Sequence, residues 1–225
     1  MKHDSIIAAE GYPFVVFSLI VTVFVAFLGG NWWLILFFAL VTVFILCFFR
    51  NPERSFPEDE KVLISPADGK IIKIEEVDVN GTLSGKFKKI SIFMNVFNAH
   101  VNRAPYDGKI EAVHYHPGKF FSANLDKASE DNERNEILIR TPDNRAVWAV
   151  QIAGLIARRI VTFAQEGDSI GQGQRFGLIR FGSRVDIYLP PGRHALVSVG
   201  QRAVGGETVI ADLKSEEPER EARRI

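Results

Sequence analysis

The pattern of apolar and polar positions changes once along the chain, near residue 50. From residue 11 to residue 49 no side chain is charged, and two apolar runs, 12–28 and 32–49, flank Gly29-Gly30-Asn31. Each run is apolar on every side, as a helix in lipid or in a deep core is, and unlike a one-faced surface helix. A helix of about 17 residues rises roughly 26 Å, close to the short limit for crossing a bilayer core. Two such runs without a small-residue cleavage site read as a membrane hairpin over residues 1–50 rather than as a secretory signal. Lys2 precedes the first run, Arg50 and Arg54 follow the second, and the turn between them carries no cation. The positive-inside tendency then puts both ends of the hairpin, and all that follows, on the cytoplasmic side of the cell membrane.

Asn51-Pro52-Glu53-Arg54-Ser55-Phe56-Pro57-Glu58-Asp59-Glu60 is polar and proline-punctuated, and reads as a linker over 51–60. Beyond it the period becomes two. Strands are expected at 70–77, 86–94, 136–140, 146–152, 156–162, 176–180, 184–189 and 207–213, separated by Gly, Pro, Asn and Asp. A short helix is expected within 123–134, and a tail over 214–225 is dense in both signs of charge. The predicted fold is mainly β: a sandwich-like or barrel-like soluble domain over 61–213, on a two-helix membrane hairpin.

Charge and cysteine content narrow the classes. In 225 residues, 27 Lys and Arg balance 27 Asp and Glu, so no basic field argues for nucleic acid. Cys47 is the single cysteine and lies in the second apolar run, so no disulfide forms within one chain.

Several short clusters carry candidate chemistry. Ser65-Pro66-Ala67-Asp68-Gly69 has the composition of a turn opening a strand, and holds a carboxylate. Asn98-Ala99-His100-Val101-Asn102-Arg103-Ala104-Pro105 follows an expected strand and holds a histidine, the side chain suited to proton transfer near neutral pH. In His114-Tyr115-His116-Pro117-Gly118-Lys119-Phe120 two histidines stand two apart, on one face if extended. No third ligand stands at metal-site spacing, and no metal is expected. Asp131-Asn132-Glu133-Arg134-Asn135 reads as a solvated loop. Leu125-Asp126-Lys127-Ala128 looks like the modified site of lipoyl carrier domains, and Glu166–Gln174 like the turn before it. The order is reversed here, so lipoylation is not expected, while a lipoyl-like β architecture is. Finally, Gly182-Ser183 stands between the apolar segments Phe176-Gly177-Leu178-Ile179 and Val185-Asp186-Ile187-Tyr188-Leu189. Taken alone, such a dipeptide is a turn.

Taken in order, these clusters resemble the phosphatidylserine decarboxylase family, over about residues 65–192. Ser65–Gly69 is similar to the family's Pro-x-Asp-Gly segment and residues 98–105 to its histidine segment. His116-Pro117-Gly118-Lys119-Phe120, with Ser122 and Asn124, resembles the proline-glycine-phenylalanine stretch that follows. Asn132-Glu133-Arg134 and Glu166-Gly167-Asp168 match short motifs, and Gly182-Ser183 the self-cleavage site. The short N-terminal hairpin points to the compact branch of that family.

The resemblance implies that Ser183 Oγ attacks the Gly182 carbonyl. The chain would divide into a β chain, 1–182, and an α chain, 183–225, that stay together as a heterodimer. Ser183 would become the covalent pyruvate cofactor, a pyruvoyl group derived from the serine itself, which forms a Schiff base with the amine of phosphatidylserine and releases CO2 to give phosphatidylethanolamine. Asp68 matches the family's orienting acid and His100 its base. Longer members carry a second histidine where Arg103 stands. Either His100 serves both self-cleavage and decarboxylation, or His116 takes one role, and Arg103 is a candidate for holding a substrate carboxylate or phosphate. The hairpin enters this reading only as an anchor, since all the implied chemistry lies downstream of it. Two alternatives remain from the residues: a membrane-anchored lipoyl-like carrier or adaptor without activity, and a metalloenzyme using His100, His114 and His116.

Overall fold

A computed structural model of the chain describes residues 5–55, 62–79, 85–123, 131–155 and 159–215. The chain divides into two compact units, Met1–Glu53 with Phe97–His100, and Arg54–Val96 with Val101–Ile225.

The first unit is helical. A short turn, Ala9–Gly11, leads into α1, Tyr12–Phe27, with Pro13 in its first turn, where the missing N–H is no loss. Gly29, at a φ of 67°, lets the chain reverse, and its N–H and that of Gly30 close on the carbonyls of Ala26 and Val25. Asn31 then caps α2, Trp32–Phe48, its side chain accepting from the Trp33 N–H at 3.2 Å. Small polar residues line the contact between the helices. Ser18 and Thr42 are buried, the Thr22 and Thr42 hydroxyls lie 3.4 Å apart, and each threonine also bonds a carbonyl one turn back. The base of the hairpin is closed by antiparallel pairing of Ile7 with Arg50 and by Asn51, whose N–H and side chain reach the carbonyls of Ile6 and Ser5. Large apolar side chains on both helices, among them Phe17, Ile20, Phe24, Trp33, Phe37 and Leu40, are exposed. Ala9–Phe27 is long and apolar enough to cross a membrane, and Trp32–Phe48 is a shorter apolar helix.

In the second unit every pairing between named strands is antiparallel among the described residues. Its strands are β1 (Val62–Ile64), β2 (Gly69–Val79), β3 (Gly85–Met94), β4 (Val101–Arg103), β5 (Gly108–His116), β6 (Arg134–Arg140), β7 (Ala146–Ala153), β8 (Ile160–Thr162), β9 (Ser169–Ile170), β10 (Arg175–Ile179), β11 (Ser183–Leu189), β12 (Arg202–Ala203) and β13 (Val209–Asp212). Eight form one sheet in the order β12-β2-β3-β11-β7-β6-β5-β9, three form β4-β10-β8, and β1 pairs with β13. One face of the large sheet is apolar. Ile90, Ile92 and Met94 of β3 and Val185, Ile187 and Leu189 of β11 form its main core with Leu63 and Ile210. Phe176 of β10 packs on Ile110, Ile137 and Ala149, so the small sheet covers the large one as a second layer. Between the layers runs a buried chain of amides. Gln151 donates to Asn102 at 2.8 Å, and Asn135 donates to Gln151 at 3.1 Å and to Thr162 at 2.9 Å. Pairing every group in this way is what lets such residues lie inside a core.

The expected mainly-β domain and the two apolar helices are both present. The clearest addition is β5, nine residues that were not expected as a strand: a bulge between Ile110 and Ala112 breaks the alternation that would reveal it. Of the stretch 123–134, where a short helix was expected, Arg134 is the first residue of β6. Residues 124–130 of that stretch, with Asn124 and the Lys127 segment, lie outside the described residues, as do 156–158 of one expected strand, 56–60 of the linker and 216–225 of the tail.

Candidate active site

Ser183 opens β11 near the middle of the large sheet, opposite Met94 on one side and Ala153 on the other. It is fully buried, and among the described residues its Oγ has no hydrogen-bond partner. A buried hydroxyl left unpaired costs about 1–3 kcal/mol, so packing alone does not account for a serine here. The chain reaches it by leaving β10 in the small sheet and entering β11 in the large one. That crossing places two consecutive residues in the left-handed region, Phe181 at a φ of 54° and Gly182 at 65°. For glycine the conformation is free. For a phenylalanine it is strained by about 1–3 kcal/mol, and the strain lies beside the peptide bond that joins 182 to 183. The Gly182 carbonyl oxygen packs directly on the Cα of Gly154, where a Cβ would overlap it.

Asp68 lies in a second cluster, with Arg103. Arg54 Nη2 donates to both oxygens of Asp68, at 3.1 and 2.8 Å, and the Gly205 N–H donates to Oδ1 at 2.8 Å. Glu207 stands 3.7 Å from the other end of the Arg54 fork. Arg103 is buried and donates to the Gly173 carbonyl at 2.9 Å. Burial, aided by the charges of Arg175 and Arg54 and opposed by Asp68 and Glu207, pulls Arg103 down to about 10. Three guanidinium groups thus gather around two carboxylates. The turn that carries Asp68 is fixed by the Ser65 hydroxyl on the Ala67 carbonyl at 2.8 Å, and by the Arg103 N–H on the Pro66 carbonyl at 2.9 Å.

His100 belongs to the helical unit. Its Nδ1 lies 2.9 Å from the Asn98 carbonyl oxygen, which can only accept, so Nδ1 carries the proton and Nε2 the lone pair. Nε2 is buried and has no hydrogen-bond partner among the described residues. The ring lies against that of Phe48, centroids 4.3 Å apart. Burial above all, with the charge of Arg50 adding to it and the Asn98 bond opposing, pushes the imidazole down to about 4. It is therefore neutral at physiological pH.

His116 lies on the other face of the large sheet from Ser183. Residues directly opposite in an antiparallel ladder point to the same side. The row His116, Arg134, Ile152, Arg184 therefore alternates with the row that holds Ser183 and Ala153. The His116 Nε2 is 3.2 Å from Glu136, which Arg134 also holds at 3.0 Å. Among the described residues no three His, Cys, Asp or Glu side chains gather where a metal could bind.

The remaining clusters shape the surroundings. Asn132 is fully buried; its side chain clasps both backbone groups of Phe121 and donates to the carbonyl of Ala153, the strand position facing Ser183, at 2.7 Å. Glu133 accepts the Ile160 N–H at 3.1 Å. Gly118 is required because its Cα lies against the backbone of 131–133. Asp168 caps its own turn through the Gln165 N–H at 2.8 Å. Sequence reasoning missed Arg54, Gly154 and the buried pair Arg184–Asp186, whose Nε and Oδ1 are 2.8 Å apart. It also missed Phe48 and Arg50 as neighbours of His100. The first three become legible only once distant segments are paired, and the last two are hidden in an apolar run and its flanking charge.

Comparison with known proteins agrees with the geometry. The sequence profile of the phosphatidylserine decarboxylase family matches residues 41–211. The chain is 51% identical over 210 residues to the phosphatidylserine decarboxylase proenzyme of Syntrophus aciditrophicus, covering 93% of this chain and 99% of that one. It is 49% identical to the proenzyme of Xanthobacter autotrophicus over 226 residues (96% and 93%), and 45% identical to that of Cupriavidus pinatubonensis over 209 (92% and 95%). With its buried serine behind a left-handed Phe-Gly turn and this likeness along nearly its whole length, the chain belongs to the phosphatidylserine decarboxylase family.

Proposed function

We propose that the protein is a phosphatidylserine decarboxylase that cuts itself between Gly182 and Ser183 to generate its own pyruvoyl group. The observation that carries this reading is Ser183 itself: a buried, unpaired hydroxyl immediately after two left-handed residues. The Ser183 Oγ gives up its proton and bonds to the Gly182 carbonyl carbon as the C–N bond breaks, leaving an ester and a free amine. Loss of the Ser183 Cα proton expels the ester oxygen as the new Gly182 carboxylate. The resulting enamine tautomerises, takes up water and loses ammonia, which makes residue 183 the pyruvoyl end. Relief of the strain at Phe181 favours the first step. The residues present fit such a group, since the site already holds a buried polar atom that no described residue satisfies. Once formed, the pyruvoyl ketone supplies the electron sink that lets the phosphatidylserine carboxylate leave as CO2.

The chain's own residues have distinct parts in this reading. His100 is the base, because its Nε2 lone pair is free and its ring neutral. Asp68 is the acid of the site, held in place by Arg54 and Gly205. Arg103, with Arg54 and Arg175, supplies positive charge suited to a substrate carboxylate or phosphate. The cut chains stay paired, because β11 is hydrogen-bonded to β3 and β7 along its length and Arg184 holds the Ala123 carbonyl at 3.1 Å. The test is direct. Purified protein in vesicles containing phosphatidylserine should release CO2 and form phosphatidylethanolamine, with chains 1–182 and 183–225 resolved by mass. An uncut chain with no product would overturn the proposal.

Gly154→Ala is expected to slow self-cleavage. Its Cβ would press on the carbonyl oxygen of the bond to be cut. Misfit of about 1–3 kcal/mol corresponds to roughly ten- to hundredfold in rate. Pulse-labelled precursor should persist, and maturation at the wild-type rate would show that this carbonyl has room to shift.

We also infer that α1 and α2 lie in the membrane, with the β domain on the cytoplasmic side, where the lipid head group is met by diffusion in two dimensions. Their uncovered apolar side chains support this. The protein should remain in the membrane pellet after high salt and after alkaline carbonate. Release by salt alone would count against insertion.

A further inference from the structure

Residues Phe97–His100 link β3 to β4, yet they form one compact unit with the helical hairpin. Three contacts account for this. Arg50, just past the end of α2, donates through Nη1 to the Cys47 carbonyl at 2.8 Å, one of the carbonyls a helix end leaves open. Through Nη2 the same guanidinium donates to the Phe97 carbonyl at 2.8 Å. Phe48, itself buried and backed by Phe49, lies on the His100 ring, and Phe44 meets Phe97 edge-on at 6.4 Å.

We infer that Phe48 and Arg50 are positioning residues for His100, so that the hairpin carries part of the proton-transfer apparatus and does more than tether the enzyme. The inference rests on the reading of His100 as the base for self-cleavage. Each contact fixes a different property of the imidazole. The fork of Arg50 sets the place of the loop, the Phe48 ring sets the tilt of the imidazole and keeps water from it, and the Asn98 carbonyl selects the tautomer. A proton-transfer group displaced by even one ångström loses much of its rate. Among the described residues, Arg50 is the charged group whose field bears on His100; α2 otherwise faces it with Phe48, and its own loop with the Asn98 carbonyl. Both the ring and the cation oppose protonation of His100, so removing either raises its pKa.

The test follows conversion of full-length precursor, synthesised into phosphatidylglycerol-containing nanodiscs, into its two chains between pH 4 and 8. Arg50→Gln and Phe48→Leu should mature more slowly throughout and move the acid limb of the profile up by roughly one pH unit, so that their deficit deepens about fivefold between pH 6 and pH 4. Arg50→Lys, which keeps the charge but not the fork, should leave the limb in place while lowering the rate throughout. A loss equal at every pH in Arg50→Gln and Phe48→Leu, or wild-type rates in both beside an inert His100→Ala, would overturn the inference alone. Maturation of His100→Ala at the wild-type rate would overturn the base assignment and this inference with it.

Discussion

Ser183→Ala is expected to leave a single intact chain of 225 residues with no decarboxylase activity. The change removes one atom, the Oγ that has no partner in a fully buried site. Nothing else in the ladder alters, because Ser183 joins it to Met94 and Ala153 through the backbone. Removing an unpaired buried hydroxyl also removes its desolvation cost, so stability should be unchanged or higher. The expected pattern is thus complete loss of the 1–182 and 183–225 fragments, with an unfolding midpoint equal to or above that of uncut wild-type precursor. A merely structural serine would show the reverse, intact processing with altered stability. Mass spectrometry decides: any fragment ending at Gly182 in the alanine variant would refute attack by the serine hydroxyl.

The sequence made the two halves of the molecule easy to read because their periods differ. Strands such as β3 and β11 alternate cleanly, since one face meets the core of Ile90, Ile92, Val185 and Ile187. β4 is the opposite case. Its three residues, Val101, Asn102 and Arg103, are all buried, two of them polar, so no alternation marks it. The same limit applies to the site. Gly182-Ser183 is visible as a dipeptide, but its strain appears only when the preceding φ angles are known. Asp68 was legible as a carboxylate in a turn, whereas its hold by Arg54 depends on a residue assigned to the linker. His100 was legible as a histidine after a strand. That its loop joins the helical unit was not, because Phe48 and Arg50 have the same composition as any apolar helix and its flanking charge.

His100→Ala is expected to reduce self-cleavage by about a hundredfold or more, the usual worth of a positioned base. The wild-type profile should identify the group before any substitution is made. A base works only when unprotonated, and burial holds His100 at about 4 rather than 6.5. Cleavage by the wild type should therefore be flat from neutral pH down to about 5 and fall only through pH 4. A histidine in water would already lose its rate between pH 7 and 6. His116 offers the contrast, being half-exposed, paired with Glu136 and on the opposite face from Ser183. His116→Ala should mature normally, with the acid limb unmoved. If instead His116→Ala stops maturation while His100→Ala does not, the base is His116, and the sheet must present a different face to the reacting bond from the one its register describes. A mature but inactive His100→Ala would place His100 in the decarboxylation step alone, since a buried neutral imidazole with a free Nε2 is equally able to return a proton to substrate.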